Sequence, residues 1–212
     1  MDPATDVAQL PFPNATRLAA SIGAVLETTP HTAVPVPGRE SAVLVLLYDR
    51  DGAPHLVLTK RTDTLEHHPG QVSLPGGRLD GSDEDLATTA LRETHEELGI
   101  APESVRIVGR LSDVPTMASG FVISPFVGVS EAPLRPVPSE REIARVLEVP
   151  IVALLAADAR LPARPDILSL RYPLHGEDVW GATARILRIF SRVVREALER
   201  LEPGGEHVGA CR

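Results

Sequence analysis

The chain has 212 residues, 43% of them hydrophobic, which is enough for one domain with a sizeable core. A net charge of -8 leaves no basic surplus to neutralise a phosphate backbone, which excludes nucleic acid as a bulk partner but not a local cationic site for one nucleotide. The single cysteine, Cys211, sits beside the C-terminus, Asp2 and Asp6 oppose a signal peptide, and no apolar run approaches the roughly 18 residues of a membrane span. A reduced, cytoplasmic setting without membrane contact is the simplest expectation.

Residues 1–38 read as a mobile arm, a short helix and a linker. Ala15 to Thr28 predicts the helix, with Leu18, Ile22, Val25 and Leu26 as its apolar stripe. Thr29 to Arg39 holds three prolines and reads as the linker. Ser41 to Tyr48 is an apolar, β-branched run suited to a strand buried on both faces. Asp51-Gly52 then signals a hairpin turn into a strand from His55 to Lys60. Gly76-Gly77 opens a turn, and a helix follows that ends near Gly99. Val105 to Leu111, Phe121 to Val129 and Ala144 to Val149 read as strands, and Ile151 to Ala156 as a helical turn. Leu168 to Tyr172 precedes His175-Gly176, a second hairpin candidate. Gly181 to Leu201 predicts a long helix with Ile186, Ile189, Phe190, Val193, Val194, Ala197 and Leu201 on one face, and Pro203-Gly204-Gly205 ends it. The order implies one α/β domain over 39–201 and a polar tail over 202–212, with no repeat and no second domain.

One stretch, Leu74 to Ile100, carries the chemistry. Glu93, Glu96 and Glu97 stand at i, i+3 and i+4, so their carboxylates share one face of the helix. Like charges so placed repel by roughly 0.2–0.5 kcal/mol per pair. Three such glutamates on their own more often make a solvated acidic face; the alternative is a set of oxygen ligands for Mg²⁺ or Mn²⁺.

The spacing resembles the box of the Nudix hydrolases, G-x5-E-x7-R-E-U-x-E-E-x-G-U with U aliphatic. Arg92, Glu93, Glu96, Glu97, Gly99 and Ile100 match it, and Thr94 replaces an aliphatic. At the outer acidic position the chain departs from the pattern: Asp83 satisfies the spacing from Gly77, whereas Glu84 satisfies the spacing to Arg92. Upstream, Val57-Leu58-Thr59-Lys60-Arg61-Thr62 and Gly70-Gln71-Val72-Ser73-Leu74-Pro75-Gly76-Gly77 resemble the signature of the coenzyme A diphosphatase branch, L-L-T-x-R-S/A-x3-R-x3-G-x3-F-P-G-G. Glu66 stands where that signature asks for arginine. Thr116 to Val129, Glu142-Ile143 and Tyr172 to Leu187 are also similar to that branch, so the resemblance spans roughly residues 40 to 195.

The resemblance implies an α/β/α sandwich around a mixed β-sheet, working on a small nucleotide substrate with Mg²⁺ or Mn²⁺. Glu93 and Glu97 would ligate the metal. Glu96 would be a third ligand or hold a coordinated water, and the Gly77 backbone would approach the metal closely, having no Cβ. Arg92 either orients Glu93 or only stabilises the helix face. Glu142 is the candidate general base or a further ligand, against a plain surface carboxylate, with Glu140 its nearby competitor. Arg61, His68, Gly70 and Gly76 would meet substrate, whereas His67 and His95 read as solvated. Arg185, Arg188, Arg192 and Arg195 form a basic stripe that reads as a solvated face or a homodimer contact.

By resemblance the substrate is coenzyme A or an acyl-CoA, cut to 3′,5′-ADP and 4′-phosphopantetheine. The alternatives are another substrate, such as ADP-ribose, a dinucleotide or a nucleoside triphosphate, or a domain that binds nucleotides without hydrolysing them. At residue 66 a glutamate forfeits an arginine's attraction for phosphate and adds repulsion.

Overall fold

The computed structural model describes residues 12–35, 39–65, 68–116, 120–163, 166 and 169–201. The arm up to residue 11, parts of the linker and of the Thr116 segment, Glu66 and His67, Leu168 and the tail from residue 202 lie outside the described residues.

The apolar run predicted at Ser41 becomes β1 (Glu40–Arg50), the centre of a mixed sheet. Asp51 and Gly52 both take positive φ, 52° and 77°, the geometry of the tight turn expected there, and β2 (Ala53–Arg61) returns antiparallel. Two short strands follow, β3 (Val72–Ser73) on β2 and β4 (Gly76–Arg78) on the first half of β1. The Gly76-Gly77 pair is therefore part of a strand, not a turn. Its partners are Val43 and Ala42 of β1, and that pairing lies in tertiary contacts beyond a local window.

Helix α2 (Leu86–Leu98) starts at Asp85, whose side chain accepts from the Thr88 amide at 2.7 Å, and stops at Gly99 with φ 65°. A single 3-10 turn (Pro102–Ser104) leads to β5 (Val105–Arg110), β6 (Val114–Pro115) and β7 (Val122–Ser130). Strand β7 runs parallel to β1 and carries β5 and β6 antiparallel on its other side. Strand β8 (Ile143–Pro150) closes on β2, and α3 (Ile151–Ala159) continues from it. A separate hairpin, β9 (Arg171–Leu174) and β10 (Glu177–Trp180), turns at His175 and Gly176 with φ 51° and 79° and feeds α4 (Gly181–Leu201).

Alternation along β1 divides the core. Val45 and Leu47 face a large cluster with α1 (Ala15–Thr28), α3 and α4, while Ala42, Leu44, Leu46 and Tyr48 face a smaller one under α2. Helices thus cover both faces, the α/β/α arrangement expected. Helix α1 is integral to that core: Ala15, Leu18, Ala19, Ile22 and Val25 are fully buried, and Ser21 Oγ donates to the Ala197 carbonyl of α4 at 2.8 Å. No helix among the described residues is long and apolar enough to cross a membrane.

The arginine stripe of α4 is not a uniformly solvated face. Arg188 and Arg195 reach the buried Asp158 of α3 at 2.7 and 2.9 Å, and Tyr172 of β9 donates to the same carboxylate. One aspartate therefore ties α3, α4 and the hairpin together. Asp158→Ala would strand Arg188 without its countercharge, so we expect a stability loss of about 3 kcal/mol or more. A shift of the urea midpoint at unchanged slope reads this out, and a loss under about 0.5 kcal/mol would refute it.

Candidate active site

Helix α2 presents its acidic face to β4, and the two box glutamates there have distinct environments. Glu97 is 3% exposed, whereas Glu93 is partly open. Burial pushes the Glu97 carboxyl up to about 8 in the metal-free protein; the Arg61 guanidinium and the Gly76 amide oppose the rise, while Glu93 and Glu142 add to it. Burial also raises Glu93, with Arg92 opposing. Arg61 Nη1 stands 3.9 Å from Glu97 Oε1, too far for a full pairing, and Glu97 Oε2 is buried with no hydrogen-bond partner. A carboxylate is held in a dry place and left unsatisfied. That is costly for a fold and useful for a cation.

Gly77 completes this corner. A Cβ on it would collide with the Glu93 carboxylate itself, so only glycine lets that backbone lie against the acid. Gly76, at φ 147°, has no room on its other side, where a Cβ would strike the Ala42 carbonyl of β1.

Arg92 lies on the Glu93 side of the helix. It bridges Asp83, through Nε at 2.9 Å and Nη2 at 3.1 Å, together with Glu93 at 3.0 Å and Glu96 at 3.2 Å. It is thus an organiser of the loop before α2 and of Glu93. Asp83, with a 2% exposed side chain and a further bond from Thr89, takes the outer acidic position that the spacing left open between Asp83 and Glu84. Pairing with Arg92 holds its carboxyl far below the usual range. Glu96 is 57% exposed and lies against Arg92, apart from the buried pair.

Glu142 arrives from the loop before β8. That loop is pinned to the end of α2 by the Val137 and Ser139 amides, which donate to the Leu98 and Glu97 carbonyls at 2.8 and 2.9 Å. The Thr62 amide then takes the Glu142 carbonyl at 2.9 Å. Glu142 is exposed, yet close enough to raise both Glu93 and Glu97.

Beside the acids opens a cavity of about 380 Å³. Arg61, His68, Gly76 and Gly77 from the strands and loops near the acids line it, together with Trp180, Thr183 and Arg185 from the end of β10 and the start of α4. Arg61 gets there through an irregularity in the β2–β8 register between residues 60 and 61, the kind of bulge that re-aims a side chain. None of the described lining residues is Asp or Glu, although the whole chain carries -8. Gly70 is not in the wall: it turns the chain at φ 65°, with its amide toward the Thr62 carbonyl. His95 is exposed on the other side of α2.

Among the described residues no three His, Cys, Asp or Glu side chains form a complete metal cage. Mg²⁺ does not require one, since it is held through one or two carboxylates, waters and substrate phosphates. The unsatisfied Glu97 oxygen and the Glu93–Gly77 contact fit such a partial site.

The family model of the NUDIX domain matches residues 38–170. The chain belongs to the Nudix hydrolase family. This Nudix hydrolase is 39% identical over 166 residues to a protein of Enterobacter sp. (strain 638), described as an uncharacterized Nudix hydrolase, NudL; the match covers 71% of this chain and 80% of that one. A protein of Citrobacter koseri under the same description is 40% identical over 157 residues, with the same two coverages. Among solved structures, the Nudix hydrolase RenU of M. smegmatis is 26% identical, with 60% of this chain and 77% of that chain covered at a TM-score of 0.45. Its activity is that of the family, divalent-metal-dependent hydrolysis of a nucleoside diphosphate linked to another moiety.

The sequence missed the Trp180 wall of the cavity. Trp180 and Arg185 lie more than a hundred residues from Arg61; both fall inside the Tyr172–Leu187 likeness, but Trp180 carries no role there and Arg185 reads only as part of a surface stripe.

Proposed function

We propose that this Nudix hydrolase cleaves the diphosphate of coenzyme A or an acyl-CoA, giving 3′,5′-ADP and 4′-phosphopantetheine, with Mg²⁺ or Mn²⁺. The observation that carries the diphosphate end is the buried, under-satisfied Glu97, with Glu93 on the same helix face, beside a cavity that Arg61 and Arg185 line and whose described lining holds no Asp or Glu. The coenzyme A preference rests on the likeness of residues 57–62 and 70–77 to that branch.

When bound by Glu93, Glu97 and the Gly77 backbone, the divalent ion supplies charge neutralisation for the diphosphate. Arg61, reaching the cavity from β2, offers its guanidinium to a phosphate oxygen and at the same time faces Glu97. Arg92 holds Glu93 in place through the Asp83 bridge. Glu142, exposed and beside both acids, takes the proton from the attacking water.

Glu142→Gln keeps the shape and removes the base, so kcat should fall by about 100-fold or more with KM changed far less. An unchanged kcat would return the base to the box helix. A substrate panel of CoA, ADP-ribose, NADH and dGTP with Mg²⁺ tests the substrate itself, with CoA expected to give the highest kcat/KM. Glu66→Arg should raise kcat/KM for CoA by about 5- to 150-fold, the span of one charge-assisted contact plus relief of repulsion, and leave ADP-ribose less affected. Equal effects on both would show that residue 66 does not read the CoA phosphate.

A further inference from the structure

We propose that the indole of Trp180 is the platform on which the purine base of the substrate stacks, so that this wall of the cavity, not the metal corner, selects for an adenine nucleotide. This rests on the nucleotide-hydrolase reading above and names which half of the substrate lies where.

Trp180 is the only tryptophan of the chain and remains 45% exposed at the cavity wall. Among the described residues its ring makes no ring–ring contact. A large apolar ring left half open inside a concave site is an unspent binding surface. It is also fixed in place. Trp180 pairs with Arg171 in the β9–β10 hairpin, and two residues of the main sheet, Lys60 at 3.0 Å and Arg145, grip Glu177 at the start of β10. Gly181, at φ 67°, then turns the chain at once into α4. The indole therefore stands on a braced strand rather than on a loop, the condition for a preorganised contact.

The neighbours suit a base better than an aliphatic arm. Gln71 lines the same cavity and brings its amide nitrogen beside Gly181, the residue after Trp180, 3.8 Å from where a Cβ there would sit, so a group with both a donor and an acceptor belongs to this wall. That pairing of functions matches the donor–acceptor edge of adenine. Arg185, one turn into α4, spends one nitrogen on the Pro115 carbonyl at 2.7 Å and keeps the rest of its fork at the cavity wall for a sugar phosphate. Arg61 and Gly76, which lie beside Glu97, line the same cavity. The cavity thus combines cationic groups for phosphate with an aromatic face for a base. Its 380 Å³ lies in the lower part of the range for ligand sites, so the second half of the substrate extends outward past the acids.

Because Trp180 is the sole indole, its fluorescence reports this contact alone. Metal-free protein is titrated with AMP, ribose 5-phosphate and pantetheine. AMP should quench or shift the emission saturably, and the other two should not. Trp180→Leu should weaken AMP binding by calorimetry, and raise KM for the preferred substrate, by about 5- to 150-fold, the span of base–aromatic stacking. kcat should change less, and Trp180→Phe should recover most of the loss. Quenching by pantetheine but not AMP, AMP binding with a silent indole, no AMP binding, or an unchanged KM in Trp180→Leu would each overturn the proposal. The two readings separate cleanly. CoA turnover with an indifferent Trp180 refutes the stacking alone, and AMP stacking in a protein that hydrolyses nothing in the panel refutes the reaction alone.

Discussion

Glu97→Gln is expected to lower kcat at saturating Mg²⁺ by at least about a hundredfold while the protein stays folded, the scale of losing one principal electrostatic stabiliser. The amide fills the same space but carries no charge, and the buried oxygen now without a partner would have nothing to offer a cation. Turnover near wild type would remove Glu97 from the site. The same substitution has a second, opposite consequence in metal-free protein. Burial raises the folded carboxyl from its ordinary 4.5 to about 8, so the folded state holds the proton more tightly than the unfolded chain. The stability tied to that proton is fully present below pH 4.5 and is lost as pH rises through about 8. Without metal at pH 8, wild type should therefore be less stable than Glu97→Gln, by roughly a few kcal/mol. Added Mg²⁺ should narrow or reverse the gap, because it binds the wild-type fold. Thermal melts at pH 5 and 8, with and without Mg²⁺, read all of this. A variant less stable than wild type at pH 8 without metal would contradict it.

The second large effect separates the adjacent glycines. In Gly77→Ala the three atoms nearest the new methyl all belong to the Glu93 carboxylate, the free end of a side chain, which can swing aside. The fold should survive with a Tm within a few degrees, while kcat/KM falls by about a hundredfold because Glu93 has been displaced from the corner it shares with Glu97. In Gly76→Ala the methyl meets the Ala42 carbonyl and the Val43 backbone of the central strand, and φ 147° disfavours any side chain. Here the expected result is loss of stability by about 3 kcal/mol or more, the range of strained and overpacked sites. If Gly77→Ala retained full activity, the Gly77 backbone would not border the metal. If Gly76→Ala were as stable as wild type, β4 would not be pressed on β1 as described.

Local pattern determined a great deal. The four helices and the strands β1, β2, β5, β7 and β8 follow from apolar periodicity and caps, and both hairpin turns from Asp51-Gly52 and His175-Gly176, because those signals act within a few residues. The box spacing alone set Glu93 and Glu97 on one helix face, since helical geometry fixes it. What the sequence could not determine depends on partners distant along the chain. The strand at Gly76–Arg78 exists because β1 pairs with it, and so few residues carry no period of their own. The difference between Glu97, dry and charge-averse, and Glu96, solvated on Arg92, arises from which side of α2 meets β4 and Arg61. The choice of Asp83 over Glu84 was settled by the reach of Arg92, not by counting residues. The arginine stripe of α4 became half structural because Asp158 lies under it. Trp180 entered the site only when the β9–β10 hairpin was braced on the sheet by Glu177. Burial and charge pairing are sums over the whole packed chain, and they decide which of several chemically equivalent residues does the chemistry.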